Sequence, residues 1–311
     1  LTSGIFVQDQ IALSERMNLS LGMRLAHARV DANEVRDPVT NTQISIKDDW
    51  TAVLGSARVN YALPGESATL FGGISQGFRA PNLSDLTRFD SSRSDEFEIP
   101  APGLDPENSM SFELGIKHES KRSSAQAALF YTDIADGIVR VPTGNTNADG
   151  DAEITKANVG DGHIFGIELS GVLALADDFQ IFGNLTWMEG KQNTYPTSAP
   201  VVVEENIDRL MPLTLMAGTR WDAPASSLWI EFLIRAAAKA DRLNTRDEAD
   251  DTRIPDGGTP AYITAQLSTG YQLSDDLTLN LGLNNITNED YRIHGSGLNK
   301  RAATCTSVCA G

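Results

Sequence analysis

Apolar and polar residues alternate with a period of two along almost the whole chain. Met17, Leu19, Leu21, Met23 and Leu25 fall on one face, with Asn18, Ser20, Gly22 and Arg24 on the other. Met110, Phe112, Leu114 and Ile116 oppose Ser111, Glu113, Gly115 and Lys117 in the same way, and Leu277, Leu279, Leu281 and Leu283 oppose Thr278, Asn280, Gly282 and Asn284. Two residues is the side-chain repeat of a β-strand, not of a helix. The pattern predicts twelve strands, near 4–13, 17–30, 49–62, 67–78, 109–119, 124–140, 154–174, 178–189, 211–222, 227–239, 260–272 and 277–287.

The connections between these strands alternate in length. Short ones fall at 14–16, 63–67, 120–123, 176–178, 223–226 and 273–276; long polar ones fall at 31–48, 79–108, 141–154, 190–210, 240–259 and 288–300. An up-and-down membrane barrel produces this segregation, with tight turns on one rim and long loops on the other. A β-sandwich has no reason to do so, although a solenoid or propeller comes closer. The expected fold is therefore all-β, an antiparallel up-and-down transmembrane β-barrel. Two aromatic girdles are expected, with Tyr61, Trp221 and Tyr271 beside the short turns and Trp50, Trp187 and Tyr262 beside the long loops. Arg24, Arg58, Asn60, Glu113, Lys117, Gln126, Glu168, Gln180, Asn184, Gln266 and Asn280 are expected to face inward. Each would cost roughly 1–3 kcal/mol if buried without a partner, which favours a wet or plugged interior over a dry core.

Composition sharpens this picture. The chain has 311 residues and a net charge of −17, so a nucleic-acid partner is not expected. Hydrophobic residues make up 41% and no apolar run approaches the ~18 residues of a membrane helix. A barrel hides its membrane signal, because only every second residue meets lipid. The first residues, LTSGIFVQDQ, carry no initiator Met and no signal-peptide core, as in a fragment or mature segment. Cys305 and Cys309 suit neither a zinc site nor a redox CxxC pair.

Several segments resemble TonB-dependent outer-membrane receptors. GIFVQDQIALSERMNLSLGMR (4–24) is similar to a mid-barrel hairpin of that family, and SQGFRAPNLSDL (75–86) to its FRAP loop start, with PGLDPENSMSFELGIK (102–117) as the returning strand. IFGIELSG (164–171) resembles the family's aromatic-Gly-aliphatic-Glu strand, and RIPDGGTPAY (253–262) with NNITNEDYRIHGSGLN (284–299) its closing region. The resemblance implies a barrel of about 22 strands around a plug, of which this chain supplies about twelve strands of the C-terminal part, expected as an open or half barrel by itself. It also implies outer-membrane residence, contact with lipid and lipopolysaccharide, and uptake of a small metal chelate or similar scarce nutrient, by default a ferric siderophore or cobalamin. The TonB system would act only through an N-terminal plug that these residues do not include, so this segment alone is not expected to transport. The alternative class is a passive porin-like channel or an adhesin barrel.

No catalytic constellation is present, and neither enzyme activity nor a cofactor is expected. His27, His118, His163 and His294 are scattered, and no HExxH or G-x-S-x-G occurs. Loop 79–108 is acidic, with Asp85, Asp90, Asp95, Glu96, Glu98, Asp105 and Glu107 against Arg79, Arg88 and Arg93; 247–251 reads DEADD. Clustered carboxylates admit a Ca²⁺ or cationic-substrate site, but a solvated surface is the simpler reading. No His lies between Phe78 and Asn108, which argues against haem. Substrate contacts are expected from loops 79–108, 190–210, 240–259 and 288–300, without a choice of individual residues.

The barrel unit is assigned to 1–300, and 301–311 to an aberrant tail. In the resembled family the words after the last loop are close to Pro-Gly-Arg-Asn followed by a closing strand, whereas here Lys300 leads into RAATCTSVCAG. With permitted codons, one C restored after the Lys300 codon turns this tail into Lys-Pro-Gly-Arg-Asn-Leu-Tyr-Val-Gly-Val-Arg, an alternating strand. The alternative is a divergent C-terminus. Resequencing the gene across the Lys300 codon should find a missing C; codons that cannot yield Pro-Gly-Arg-Asn in the other frame would refute the deletion.

Overall fold

The structure is a computed structural model and describes residues 1–36, 43–65, 67–93 and 95–297. The tail 301–311 lies outside them. In chain order the elements are β1 (Thr2–Ser14), β2 (Met17–Arg36), β3 (Gln43–Ala62), β4 (Ala68–Arg79), α1 (Leu83–Leu86), β5 (Asp90–Arg93), β6 (Glu96–Glu98), β7 (Glu107–Glu119), β8 (Ser123–Ala135) and β9 (Ile138–Thr146). They continue as β10 (Ala152–Asn158), β11 (Gly162–Ala176), β12 (Phe179–Thr194), β13 (Val203–Asn206), β14 (Thr214–Asp222), β15 (Leu228–Ala237), α2 (Thr245–Glu248), β16 (Tyr262–Ser274) and β17 (Leu277–Leu283).

One sheet runs β1-β2-β3-β4-β7-β8-β11-β12-β14-β15-β16-β17, with β13 added to β12. Its main path has the twelve strands that the alternation predicts, each antiparallel to its neighbour. Among the described residues β1 and β17 end the path and do not pair with one another, so the barrel is open.

The ladder fixes which side chains share a face, because directly opposed residues point the same way. Following the registers from Ser20↔Arg58 through Gly73↔Glu113, Lys117↔Gln126, Ser170↔Asn184 and Gln180↔Arg220 to Gly270↔Asn280 places every residue expected to face inward on one side. Leu21, Val53, Leu114, Leu129, Leu169, Leu215 and Leu281 are exposed on the opposite side. Tyr61, Trp221 and Tyr271 also lie on that outer side beside the short turns, and Trp221 Nε1 donates to Asp178 Oδ2 (2.9 Å) in the adjacent turn.

The second girdle is different from the expectation. Trp187 faces outward with Phe165 (5.7 Å, edge-on) and neighbouring Tyr131. Trp50 and Tyr262 face inward. Trp50 pairs with Ala28 and sends Nε1 to the Leu104 carbonyl (3.1 Å), and Tyr262 packs on Tyr291 at 4.7 Å. Both residues share the ladder parity of the inward set, so the register puts them on that side, and loops over the mouth cover them there.

The upper parts of four predicted strands also differ from the expectation. β2 and β3 run beyond the predicted ends at 30 and 49, so the connection expected at 31–48 is largely strand. Their inward residues Val30, Ala32, Ile44, Ile46 and Trp50 pack against Leu86, Ala101 and Leu104 of the next loop. The predicted strands 124–140 and 154–174 each break. β9 and β10 leave the main sheet as an arm and join β5 and β6 in a separate four-stranded sheet. Asp136 at φ 59° makes the break on one side. Gly137 and Gly160 meet there, Gly160 N donating to Gly137 O (2.9 Å), and a Cβ on Gly137 would lie 2.2 Å from that second backbone.

On the inner side aromatic rings lie over glycines of the neighbouring strand: Phe71 over Gly115, Phe130 over Gly166, Phe182 over Gly218 and Trp229 over Gly270, each a directly opposed pair. A Cβ on Gly270 would lie 2.3 Å from Trp229 Nε1 and otherwise meets only side chains. Gly270→Ala should therefore destabilise the full-length protein by about 1–3 kcal/mol in urea unfolding. In a Trp229→Leu background the same change should be close to neutral; an undiminished cost would place the conflict elsewhere.

Candidate functional site at the loop rim

The FRAP segment does its structural work at the top of β4. Arg79, its last residue, forms a two-pronged ion pair with Glu107 and donates through Nη1 to Asp85 Oδ2 (2.9 Å). Asn82 caps α1: its Oδ1 accepts from Asp85 N, and Asp85 Oδ2 accepts from Asn82 N, both at 3.0 Å. This reciprocal pair is a capping box with Asp in place of Glu. Glu107 Oε1 also accepts from Ile138 N (2.9 Å), so the same motif ties the root of the arm to β4.

From Asp85 a chain of ion pairs crosses the mouth. Lys156 Nζ reaches Asp85 Oδ1 (2.9 Å) and Glu98 Oε1 (3.6 Å). Glu98, 1% exposed, also takes Arg140 Nε (2.9 Å) and Arg88 Nε (3.5 Å). Glu96 lies 3.9 Å from Arg246 Nη1 and accepts from Ser198 Oγ (2.9 Å). A buried carboxylate is tolerated only with such partners. The acidic loop 79–108 is thus not simply a solvated surface: its buried carboxylate Glu98 is held by Arg88, Arg140 and Lys156, and buried Glu96 accepts from Ser198 with Arg246 nearby. Among the described residues no group of three or more His, Cys, Asp or Glu is placed to hold a metal.

A cavity of about 260 Å³ opens on the inner side beneath these contacts. It is lined by Asp85, Ile138, Val139, Arg140, Lys156, Gln192, Thr194, Asn206, Asp208 and Arg246. Three of the four expected contact loops contribute, through Asp85, through Gln192, Thr194, Asn206 and Asp208, and through Arg246. The arm contributes Ile138, Val139, Arg140 and Lys156. Its place on the cavity wall is not legible in the sequence, because period-two alternation runs through β9 and β10 as parts of longer strands. Burial pushes the Asp85 carboxyl up, but the Asn82 amide and the Lys156 and Arg79 cations hold it below the usual carboxylate range. It therefore stays ionised beside the cavity.

The fourth loop braces the third. Thr259 Oγ1 and His294 Nδ1 lie 2.9 Å apart and both residues are buried. Asn244 caps α2 by accepting from Asp247 N (2.7 Å) and donates to Asp208 Oδ1 (2.6 Å); Asp247 Oδ2 accepts from Arg209 N (2.7 Å). Asp247, expected on a solvated acidic face, is buried for this reason. Burial pushes its carboxyl up, with Asp208 adding to the shift and Arg209 opposing it. Burial pushes His294 down; Asp247 opposes this and Arg209 reinforces it.

An antiparallel sheet with an apolar outer face, a polar inner face, tight turns on one rim and interlocked loops on the other is the construction of an outer-membrane β-barrel. The family model described as "TonB dependent receptor-like, beta-barrel" matches residues 2–286, and the chain belongs to that family of the bacterial outer membrane. The iron-regulated outer membrane virulence protein of Vibrio cholerae serotype O1 is 25% identical over 197 residues, 61% of this chain and 27% of that protein. Among solved structures, the copper transporter OprC superposes with a TM-score of 0.72 at 19% identity, over 96% of this chain and 44% of its own. The ferric-catecholate import receptor Fiu from K12 E. coli gives 0.68 at 18% identity, over 95% and 42%. The chain thus spans about a quarter of the curated relative and less than half of these receptors. It shares their fold.

His294 gives a pH test. With its folded value below its ordinary 6.5, the unfolded loop binds more protons between the two, so the stabilisation is full above about pH 6.5 and is lost as pH falls below it. Limited proteolysis within 240–259 of the full-length protein should accelerate between pH 7 and pH 5. The His294→Gln variant should lose that pH dependence; an unchanged profile would assign it to another group.

Proposed function

We propose that this chain is the C-terminal part of the barrel of an energy-coupled receptor, and that its substrate docks at the 260 Å³ cavity on the inner side of the loop rim. One observation carries the reading: three separate outer loops and the arm converge on a single polar cavity facing the lumen. A passive channel has no need of such convergence. Coupling to TonB would reside in segments that this sequence does not contain. The relatives include an iron-regulated outer membrane protein, a ferric-catecholate import receptor and a copper transporter, which supports a scarce metal chelate, by default a ferric siderophore, as cargo.

The cavity carries Arg140, Lys156 and Arg246 beside Asp85 and Asp208, so it offers donors and acceptors in nearly balanced number. Lys156 is its most central cation, shared between Asp85 and Glu98. In cells carrying the full-length gene under iron limitation, Lys156→Ala should reduce uptake of the cognate chelate at least about tenfold, with the barrel still inserted. Deleting 198–203 should leave insertion intact while weakening uptake. Uptake that is unaffected by either change, or that persists without TonB, would favour a passive channel.

A further inference from the structure

The outer face contains a groove of about 810 Å³ that the transport reading does not use. Its floor is Ala125, Gly171, Gly183 and Ala217, directly opposed across β8, β11, β12 and β14 and continued by Ile234 on β15. Its walls are Leu169, Leu185 and Leu215 on one side and Leu173, Ile181 and Phe232 on the other. All of these point to the lipid side, so the groove lies wholly within the membrane-facing band.

The groove has a direction. At one end Ala125 is three residues from Arg122 in the β7–β8 turn; at the other Ile234 is seven residues from Ser227 in the β14–β15 turn. At ~3.3 Å per residue the floor descends about 13 Å from the short-turn rim toward the middle of the sheet. Short turns mark the periplasmic rim.

Its mouth coincides with a break in the lower aromatic girdle. Tyr61 on β3 and Phe179, Trp221 and Tyr271 on β12, β14 and β16 face outward beside the short turns. Between them the outward positions near the short turns include no aromatic ring in two opposed pairs, Ala68 with His118 and Ser123 with Leu173. His118 Nε2 and Ser123 Oγ lie 3.0 Å apart at this gap. Two cations, Lys121 and Arg122, stand on the exposed turn beside it. Arg122 pairs with Asp177 at 2.7 Å, but Asp177 is 93% exposed, and an ion pair so solvated is weak enough to yield to a stronger anion.

We propose that this groove binds one acyl chain of an anionic phospholipid of the periplasm-facing leaflet, with the lipid phosphate held by Lys121 and Arg122 at the mouth. An open apolar trough on the lipid-facing side takes a hydrocarbon occupant, and Lys121 and Arg122 at its shallow end, between Glu119 and Asp177, present the cations that would favour an anionic head group. Lipopolysaccharide occupies the opposite leaflet and cannot present its phosphates to this turn.

The experiment uses the full-length gene product in neutral detergent, titrated with phosphatidylglycerol or phosphatidylethanolamine and read by native mass spectrometry. The wild type should retain one phosphatidylglycerol in preference to phosphatidylethanolamine. Ala217→Phe, which fills the floor, should reduce retention of both lipids about tenfold. Lys121→Ala with Arg122→Ala should erase the preference for phosphatidylglycerol. Retention unchanged by Ala217→Phe, or absent from the wild type, would overturn the proposal, as would a dimer that Ala217→Phe disrupts. If Ala217→Phe fails to insert, the exposed-turn double variant decides alone: an unaltered head-group preference overturns it. Uptake assays are independent of these readings, so failure here leaves the cargo assignment standing.

Discussion

A strand crossing hydrocarbon finds no water, so each backbone N–H and C=O must be met by a neighbouring strand. That requirement dictates the continuous antiparallel ladder from β1 to β17 and, through it, nearly everything else in this chain. Once Ser20 stands opposite Arg58 and Gly73 opposite Glu113, the side of every later residue is determined. Leucines then meet lipid and the Arg, Glu and Gln side chains meet the lumen without further instruction. The glycines under Phe71, Phe130, Phe182 and Trp229 serve the same ladder: a large ring on one strand covers the bare backbone of the next.

Above the ladder the constraint reverses. The outer loops have water but lack a regular partner, and their order comes from charge and caps. Arg79 is the junction, because it both terminates β4 and fixes Asp85 and Glu107. Asp85 positions Lys156, Lys156 reaches Glu98, and Glu98 gathers Arg88 and Arg140. Removing one member would strand a charge in a buried setting, which is far costlier than losing an exposed pair. The short word Phe-Arg-Ala-Pro-Asn thus carries the cap and the cation that fix Asp85 at the cavity wall.

The twelve strands of the main path were legible because period two is a local property that survives any tertiary context. The inward set from Arg24 to Asn280 followed from it directly. What failed was whatever depended on contacts distant in sequence. Trp50 and Tyr262 occupy strand ends, but their parity in the ladder is that of the inward residues Arg58 and Gln266, and Leu104 and Tyr291 then cover them. The arm β9–β10 carries the alternation of its parent strands, so only the Asp136-Gly137 and Val159-Gly160 breaks betray it. The two short helices had a readable signal in the repeated Asn-x-x-Asp spacing at Asn82 and Asn244. The burial of Glu96, Glu98 and Asp247 had none, since composition alone cannot distinguish a paired carboxylate from a solvated one.

The arm leaves the barrel through one crossing, where Gly137 and Gly160 touch and Asn158 donates to the carbonyls of Asp105 (2.6 Å) and Asp136 (2.8 Å). Everything beyond that crossing, from Ile138 to Asn158, is registered to the small loop sheet and not to the membrane ladder. The arm is consequently a cassette. Its tip at Asn147–Gly150 can lengthen, shorten or change in sequence while the barrel below keeps its register, which gives the receptor a place to vary what it displays to the outside without risk to its own insertion.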